Sequence, residues 1–155
     1  IKEEERKNDE VFKENAKQFK SNKPKIVQYI LQNVKGEKNI QSEVEHIMPT
    51  SRAEWVEDII KWNKFDMMDP KHREAKVGSY HTMFKDSIGN QMLLEPPLNR
   101  LISNKDFKTK KELGYSKSGF SEAQAISKYK KWTSDDIEKR QAKLTTTIID
   151  LFSIK

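Results

Sequence analysis

Four polar residues interrupt apolar segments of the sequence, at places where an apolar side chain would cost nothing: Glu45 and His46 in "EVEHIMP", Asn90 in "IGNQMLL" and Asn99 in "LNRLIS". A carboxylate, an imidazole and an amide oxygen brought together make a one-metal hydrolytic site. Phosphodiester hydrolysis needs a base for water, a cation at the phosphoryl and leaving oxygens, and a fixed geometry between them. His46, with an ordinary pKa near ~6.5, can serve as the base around neutral pH. Glu45 and the side-chain oxygen of Asn99 suit Mg²⁺ (or Mn²⁺), because Mg²⁺ keeps several waters and takes few protein carboxylates beside a substrate phosphate.

The composition is compatible with that chemistry. The chain of 155 residues fits one domain, and 34% hydrophobic residues give it a modest core. With 30 Lys+Arg against 24 Asp+Glu it carries a formal charge of +6, which favours polyanionic partners without requiring them. It has no cysteine, so disulfide scaffolds and thiolate zinc sites are excluded and a metal would need oxygen or imidazole ligands. No apolar run approaches the roughly 20 residues that span a bilayer, so a soluble, cytoplasmic protein is expected. The opening "IKEEERKNDE" lacks a methionine and reads as cut from a longer chain.

The elements that must position the four residues follow from periodicity. Residues 3–20 carry Phe12, Ala16 and Phe19 on a narrow stripe, predicting a polar helix that either docks by one face or bridges from an upstream domain. Pro24 and Gly36 bracket a core helix. "EVEHI" predicts a short strand stopped before Pro49. Ser51 and Glu54 stand at capping-box spacing before an amphipathic helix with Trp55, Ile59 and Trp62 inward. Asp69-Pro70 starts another helix, Tyr80 to Phe84 form a further turn or two, and "DSIGN" is a turn. "QMLLE" is a second strand, and Pro97 opens a helix with Leu98, Leu101 and Ile102 on its apolar side. Helices over 120–155 complete a mostly helical α+β domain. In a regular strand Glu45 and His46 point to opposite faces, so the strand must end or twist there if both serve one site.

Each candidate also has an ordinary reading. His46 fits a partly buried histidine bonded to backbone, Glu45 an ion pair with a lysine, Asn90 a turn residue and Asn99 a polar helix face. His72 and His81 are rival bases. Trp55, Trp62, Phe65 and Phe84 read as core. Arg100, Lys105, Lys108, Lys110 and Lys111 face one acid, Asp106, and form either a phosphate-contacting rim or a solvated helix.

"VEHIMP", "IGNQMLL" and "LNRLISNKDFKTKK" resemble the HNH, or His-Me finger, endonucleases, and more narrowly the C-terminal domain of GmrSD-type restriction enzymes and related phosphorothioate-sensing defence proteins. The resemblance spans about Val44 to Lys111 and, less sharply, "KWTSDDIEKRQAKL". It implies a ββα-metal core, His46 as general base, Glu45 and Asn99 as metal ligands, and Asn90 orienting the histidine loop. It also implies that Arg100, Asn104 and Lys110, with Lys105 and Lys111 beside them, contact DNA. Glu45 replaces a common aspartate and Asn99 the last histidine of the motif name, and the stretch between the strands is longer than in minimal domains. The expected organisation is a charged helical extension over 1–22 and a nuclease domain over 23–155, with its core motif at 43–111. The expected function is metal-dependent DNA cleavage or nicking in restriction of foreign DNA, coupled to an upstream nucleotide-hydrolysing domain. The alternative is a non-catalytic nucleic-acid-binding or regulatory module.

Overall fold

Two tetrapeptide strands organise the domain although helices make up most of it. In the computed structural model, which describes residues 2–37 and 40–153, β1 (Glu43–His46) pairs antiparallel with β2 (Gln91–Leu94), with Glu45 opposite Met92 and His46 opposite Gln91. Residues 1, 154 and 155, at the outer ends of the two expected segments, lie outside the described part. β2 is buried along its whole length, which matches its near-continuous apolar sequence.

Around this hairpin stand α1 (Lys2–Lys17), α2 (Pro24–Lys35), α3 (Val56–Trp62), α4 (Pro70–Phe84), α5 (Pro96–Ile102), α6 (Phe107–Leu113), α7 (Ser121–Ile126) and α8 (Ser134–Phe152). The mostly helical α+β class is as the sequence indicates. Among the described residues no helix is long and apolar enough to cross a membrane.

The helix ends follow local chemistry. Pro24 lies in the first turn of α2, and Gly36 closes it at φ 69°, a left-handed conformation that suits glycine. Asp69 caps α4 by accepting from the His72 amide, and α4 runs unbroken through the two separate helical stretches expected there. Ser51 and Glu54 do not form a capping box: Arg52 already has helical dihedrals, and a 3-10 turn over Ala53–Trp55 leads into α3 instead. The box that does form is Thr133 with Asp136, opening α8. The chain after β2 makes two helices, because Ser103 at φ 37° breaks the run and Asp106 recaps it at Thr109. Leu101, expected inward, is half exposed on this short helix, whereas Ile102 is buried.

Trp62 meets Trp55 and Phe107 edge to face at 5.9 and 6.0 Å, Trp55 and Phe107 lie tilted at 5.7 Å, and the three rings pack into the core under α3 and α6. The C-terminal end of α1 packs on α8, where Ala16 is buried and its carbonyl accepts from Thr145 Oγ1 at 3.0 Å. α8 also lies directly on the 3-10 turn Ile88–Asn90 that leads into β2. At Gly89 an added Cβ would sit 2.2 Å from the Ile137 carbonyl oxygen and 2.9 Å from the Gln141 nitrogen, both backbone atoms. Gly89→Ala should therefore cost about 1–3 kcal/mol as overpacking, read as a lowered urea midpoint with an unchanged m-value. An unaltered midpoint would mean that α8 does not lie this close.

Candidate active site

Strand alternation divides the polar residues of β1 between two faces. Glu43 and Glu45 point toward the helices that follow β2. The Glu43 carboxylate accepts from Asn99 Nδ2 at 3.0 Å and from Arg100 Nη1 at 3.3 Å. Glu45 is buried, and its Oε2 accepts from Lys110 Nζ at 3.0 Å and from the Tyr115 hydroxyl at 2.7 Å. Both bonds use Oε2; Oε1 takes part in neither. Burial pushes the Glu45 carboxyl up and the Lys110 ammonium down, and their mutual attraction opposes both shifts.

His46 sits at the end of β1 on the other side, and its Nε2 donates to Asp86 Oδ1 at 3.1 Å. Burial holds the imidazole below its usual 6.5, Asp86 works against that, and the positive charges of Lys110 and Lys85 add to it. The ring is therefore neutral near neutral pH, which is the state a proton acceptor requires.

One buried amide fixes the loop that follows. Asn90 Oδ1 accepts from the Met48 amide at 2.9 Å and from Trp132 Nε1 at 3.0 Å. Its Nδ2 donates to the carbonyls of Met48 and Lys85, both at 2.8 Å. Asn90 has no exposed surface, so it acts on the loop and not on a substrate. Arg140 secures the same turn from α8, its Nη1 donating to the carbonyls of Ile88, Gly89 and Gln91 at 2.6 to 3.1 Å. Its charge is balanced by Glu122, which accepts from Nε at 2.6 Å.

Glu45, His46, Asn99, Arg100 and Asn104 all line one open cleft of about 220 Å³, together with Thr50 of the loop. Larger cavities lie elsewhere, including one of about 500 Å³ beside Lys108, Lys111 and Lys130, but they contain neither the base nor the ligand candidates.

The basic rim is thinner than the sequence indicates. Lys110 is fully buried, so it is no phosphate contact: its ammonium is spent on Glu45 and on the carbonyls of His46 and Ile47 at 2.7 and 3.2 Å. Lys111 turns to the Tyr129 carbonyl at 2.6 Å and covers the Phe107 ring. Lys105 is partly exposed but is not among the residues lining the cleft, and its carbonyl accepts from Trp55 Nε1 at 2.8 Å. Of the rival bases, His72 is an exposed partner of Asp69, and buried His81 donates Nε2 to the Pro49 carbonyl at 2.7 Å.

Sequence reasoning missed Glu43, Asp86 and Tyr115. Glu43 had a signal, because it lies two residues before Glu45 and so shares its strand face. Asp86 had none, since only the folded turn brings it to a histidine 40 residues away.

A fold of this kind, an antiparallel hairpin followed by a short helix and wrapped by further helices, with a histidine ending the first strand and an asparagine on the helix, defines a helix-rich α+β domain with a polar cleft at the hairpin–helix junction. Residues 5–147 match the family described as GmrSD restriction endonucleases, C-terminal domain, and the chain belongs to that family. The match runs from α1 into the last turns of α8 and places the chain in a nuclease-related restriction role. No curated protein matches the chain.

The two buried histidines give a signed pH dependence. For His46 and His81 the folded pKa lies below the unfolded value of 6.5, with burial the main cause. The unfolded chain thus binds more protons just below that pH, and stability present above pH 6.5 is lost as pH falls through the folded values. Urea midpoints should drop on acidification, and His81→Gln should make that drop shallower while costing about 1–3 kcal/mol at neutral pH for the disturbed buried bond. An equally steep drop in the variant would remove His81 from this linkage.

Proposed function

We propose that this domain is an HNH-type, Mg²⁺- or Mn²⁺-dependent DNA endonuclease or nickase in which His46 is the general base. The observation that carries the reading is that Glu45 and His46, although strand alternation parts their side chains, line one open cleft at the end of β1 together with Asn99, Arg100 and Asn104. Membership of the restriction-endonuclease family supports DNA as the substrate and restriction of foreign DNA as the setting.

The donor set fits a hard cation. Asn99 commits Nδ2 to Glu43, so its Oδ1 is the end left for a ligand, and Glu45 commits Oε2 to Lys110 and Tyr115 without using Oε1. Among the described residues no three His, Asp or Glu side chains form a metal cage by themselves. Two oxygen ligands completed by water and substrate phosphate are what Mg²⁺ accepts. When bound, the cation would supply charge stabilisation at the phosphoryl and leaving oxygens.

The chain's own residues supply the rest. His46, neutral and held at the cleft wall, takes the proton from an attacking water. Asn90 keeps the loop after His46 in register with the second strand. Arg100 and Asn104 line the cleft and Lys105 follows them in the chain, and on this reading their contacts position a DNA backbone without reading sequence. Lys110 and Lys111 serve the protein's own structure, so the DNA contacts concentrate at the start of this stretch. An upstream nucleotide-hydrolysing domain would provide recognition.

Supercoiled plasmid incubated with the chain and Mg²⁺ or Mn²⁺ should be nicked or linearised, and EDTA should stop the reaction. His46→Ala should lower the rate by about 10²- to 10⁴-fold, the contribution of a positioned base, with unchanged circular dichroism and DNA affinity. Full cleavage by that variant would remove His46 from the mechanism; salt-sensitive binding without any metal-dependent cleavage would favour a binding module.

A further inference from the structure

We infer that Asp86 is a positioning residue for His46: its carboxylate fixes the imidazole with the hydrogen on Nε2 and leaves Nδ1 as the nitrogen that takes a proton in the cleft. The inference rests on the reading of His46 as the base.

The geometry is specific. His46 Nε2 lies 3.1 Å from Asp86 Oδ1, and the two side chains keep only 18% and 23% of their surface exposed. A carboxylate accepts and does not donate, so the hydrogen of this bond belongs to Nε2. A neutral imidazole with Nε2–H has its lone pair on Nδ1. The same bond stops the ring from turning about its Cβ–Cγ axis, and it strengthens once Nδ1 gains a proton and the imidazolium faces a carboxylate. A base oriented by a third group is the general arrangement of activated sites.

Asp86 is itself held from both sides. Its carbonyl accepts from the Ser21 amide at 3.0 Å and from Gln91 Nε2 at 2.9 Å. The carbonyl of Lys85 before it is tied to Asn90 Nδ2. Its backbone is thus anchored to the segment before α2, to β2 and to the Asn90 clamp, while its side chain remains for His46. Lys110, whose charge also acts on His46, does not replace this contact, because its Nζ is spent on Glu45 and two carbonyls.

The test uses the full chain labelled with ¹⁵N-histidine, at a pH above the usual imidazole pKa, with His46→Ala to assign the ring signals. The wild type should show His46 as a single Nε2–H tautomer. Asp86→Ala should give a tautomer mixture and a kcat lower by about 10- to 100-fold, the range seen when the carboxylate behind a metal-bound histidine is removed, at unchanged KM. Asp86→Asn preserves shape and an acceptor oxygen, so it should retain more activity than alanine and covers the case in which the alanine variant fails to fold. A wild-type ring with its hydrogen on Nδ1, or unchanged kcat in Asp86→Ala, overturns the inference. If the wild-type chain cleaves no plasmid, the base assignment fails by itself, and the ring spectrum still decides whether Asp86 sets the tautomer.

Discussion

The Asn90 side chain is the constraint on which the site depends. Its amide makes four hydrogen bonds at 2.8 to 3.0 Å without meeting solvent, and three of them end on backbone atoms of Met48 and Lys85. The loop leaving β1 and the turn entering β2 thereby become one rigid piece. Replacing such a group strands several partners at once, since each buried donor or acceptor left unpaired costs about 1–3 kcal/mol. His46 and Asp86 sit on the two segments that this amide joins, so their contact inherits its precision.

The second constraint is the buried pair of Glu45 and Lys110. An ion pair removed from water seldom stabilises a fold more than apolar side chains of the same size would. Here Lys110 satisfies its ammonium with one carboxylate oxygen and two carbonyls, and Tyr115 takes the remaining share of Glu45 Oε2. The cluster joins α6 and the turn after it to the end of β1, and it holds Glu45 to one orientation at the cleft wall. Arg140 plays the matching part from α8, neutralised by Glu122 and bound to three carbonyls around the Asn90 turn. Two buried cations thus brace one end of the sheet, where His46 pairs with Gln91.

Much of this was legible from residue order. Pro24, Gly36, Asp69 and Pro97 mark helix ends by backbone chemistry that acts within a few residues, and the hairpin follows from two short apolar runs. The cleft residues were legible because a polar side chain inside an apolar segment is costly without a use. Contacts between distant segments were not. Lys110 and Lys111 look alike as neighbours in a basic run, but α6 turns one wholly inward and lays the other over Phe107. Ser51 and Glu54 have the spacing of a capping box and do not form one, because Pro49 is tied to His81 and the following residues enter through a 3-10 turn. Asp86 depends on the same kind of long-range closure.

The distribution of charge bears on what the cleft can accept. The chain as a whole carries +6, yet the charges around the cleft nearly cancel. Arg100 is paired with Glu43 and Lys110 with Glu45, while Asp86 faces a neutral imidazole. A phosphodiester entering beside His46 therefore meets little uncompensated positive charge from the protein. On the proposed reading, attraction of DNA falls to residues outside the centre, and charge compensation at the reacting phosphate falls to a cation at Glu45 and Asn99. That division has a physical advantage: further lysines at the centre would add to the depression that burial, Lys110 and Lys85 already impose on the imidazole, whereas the Asp86 carboxylate behind the ring opposes it.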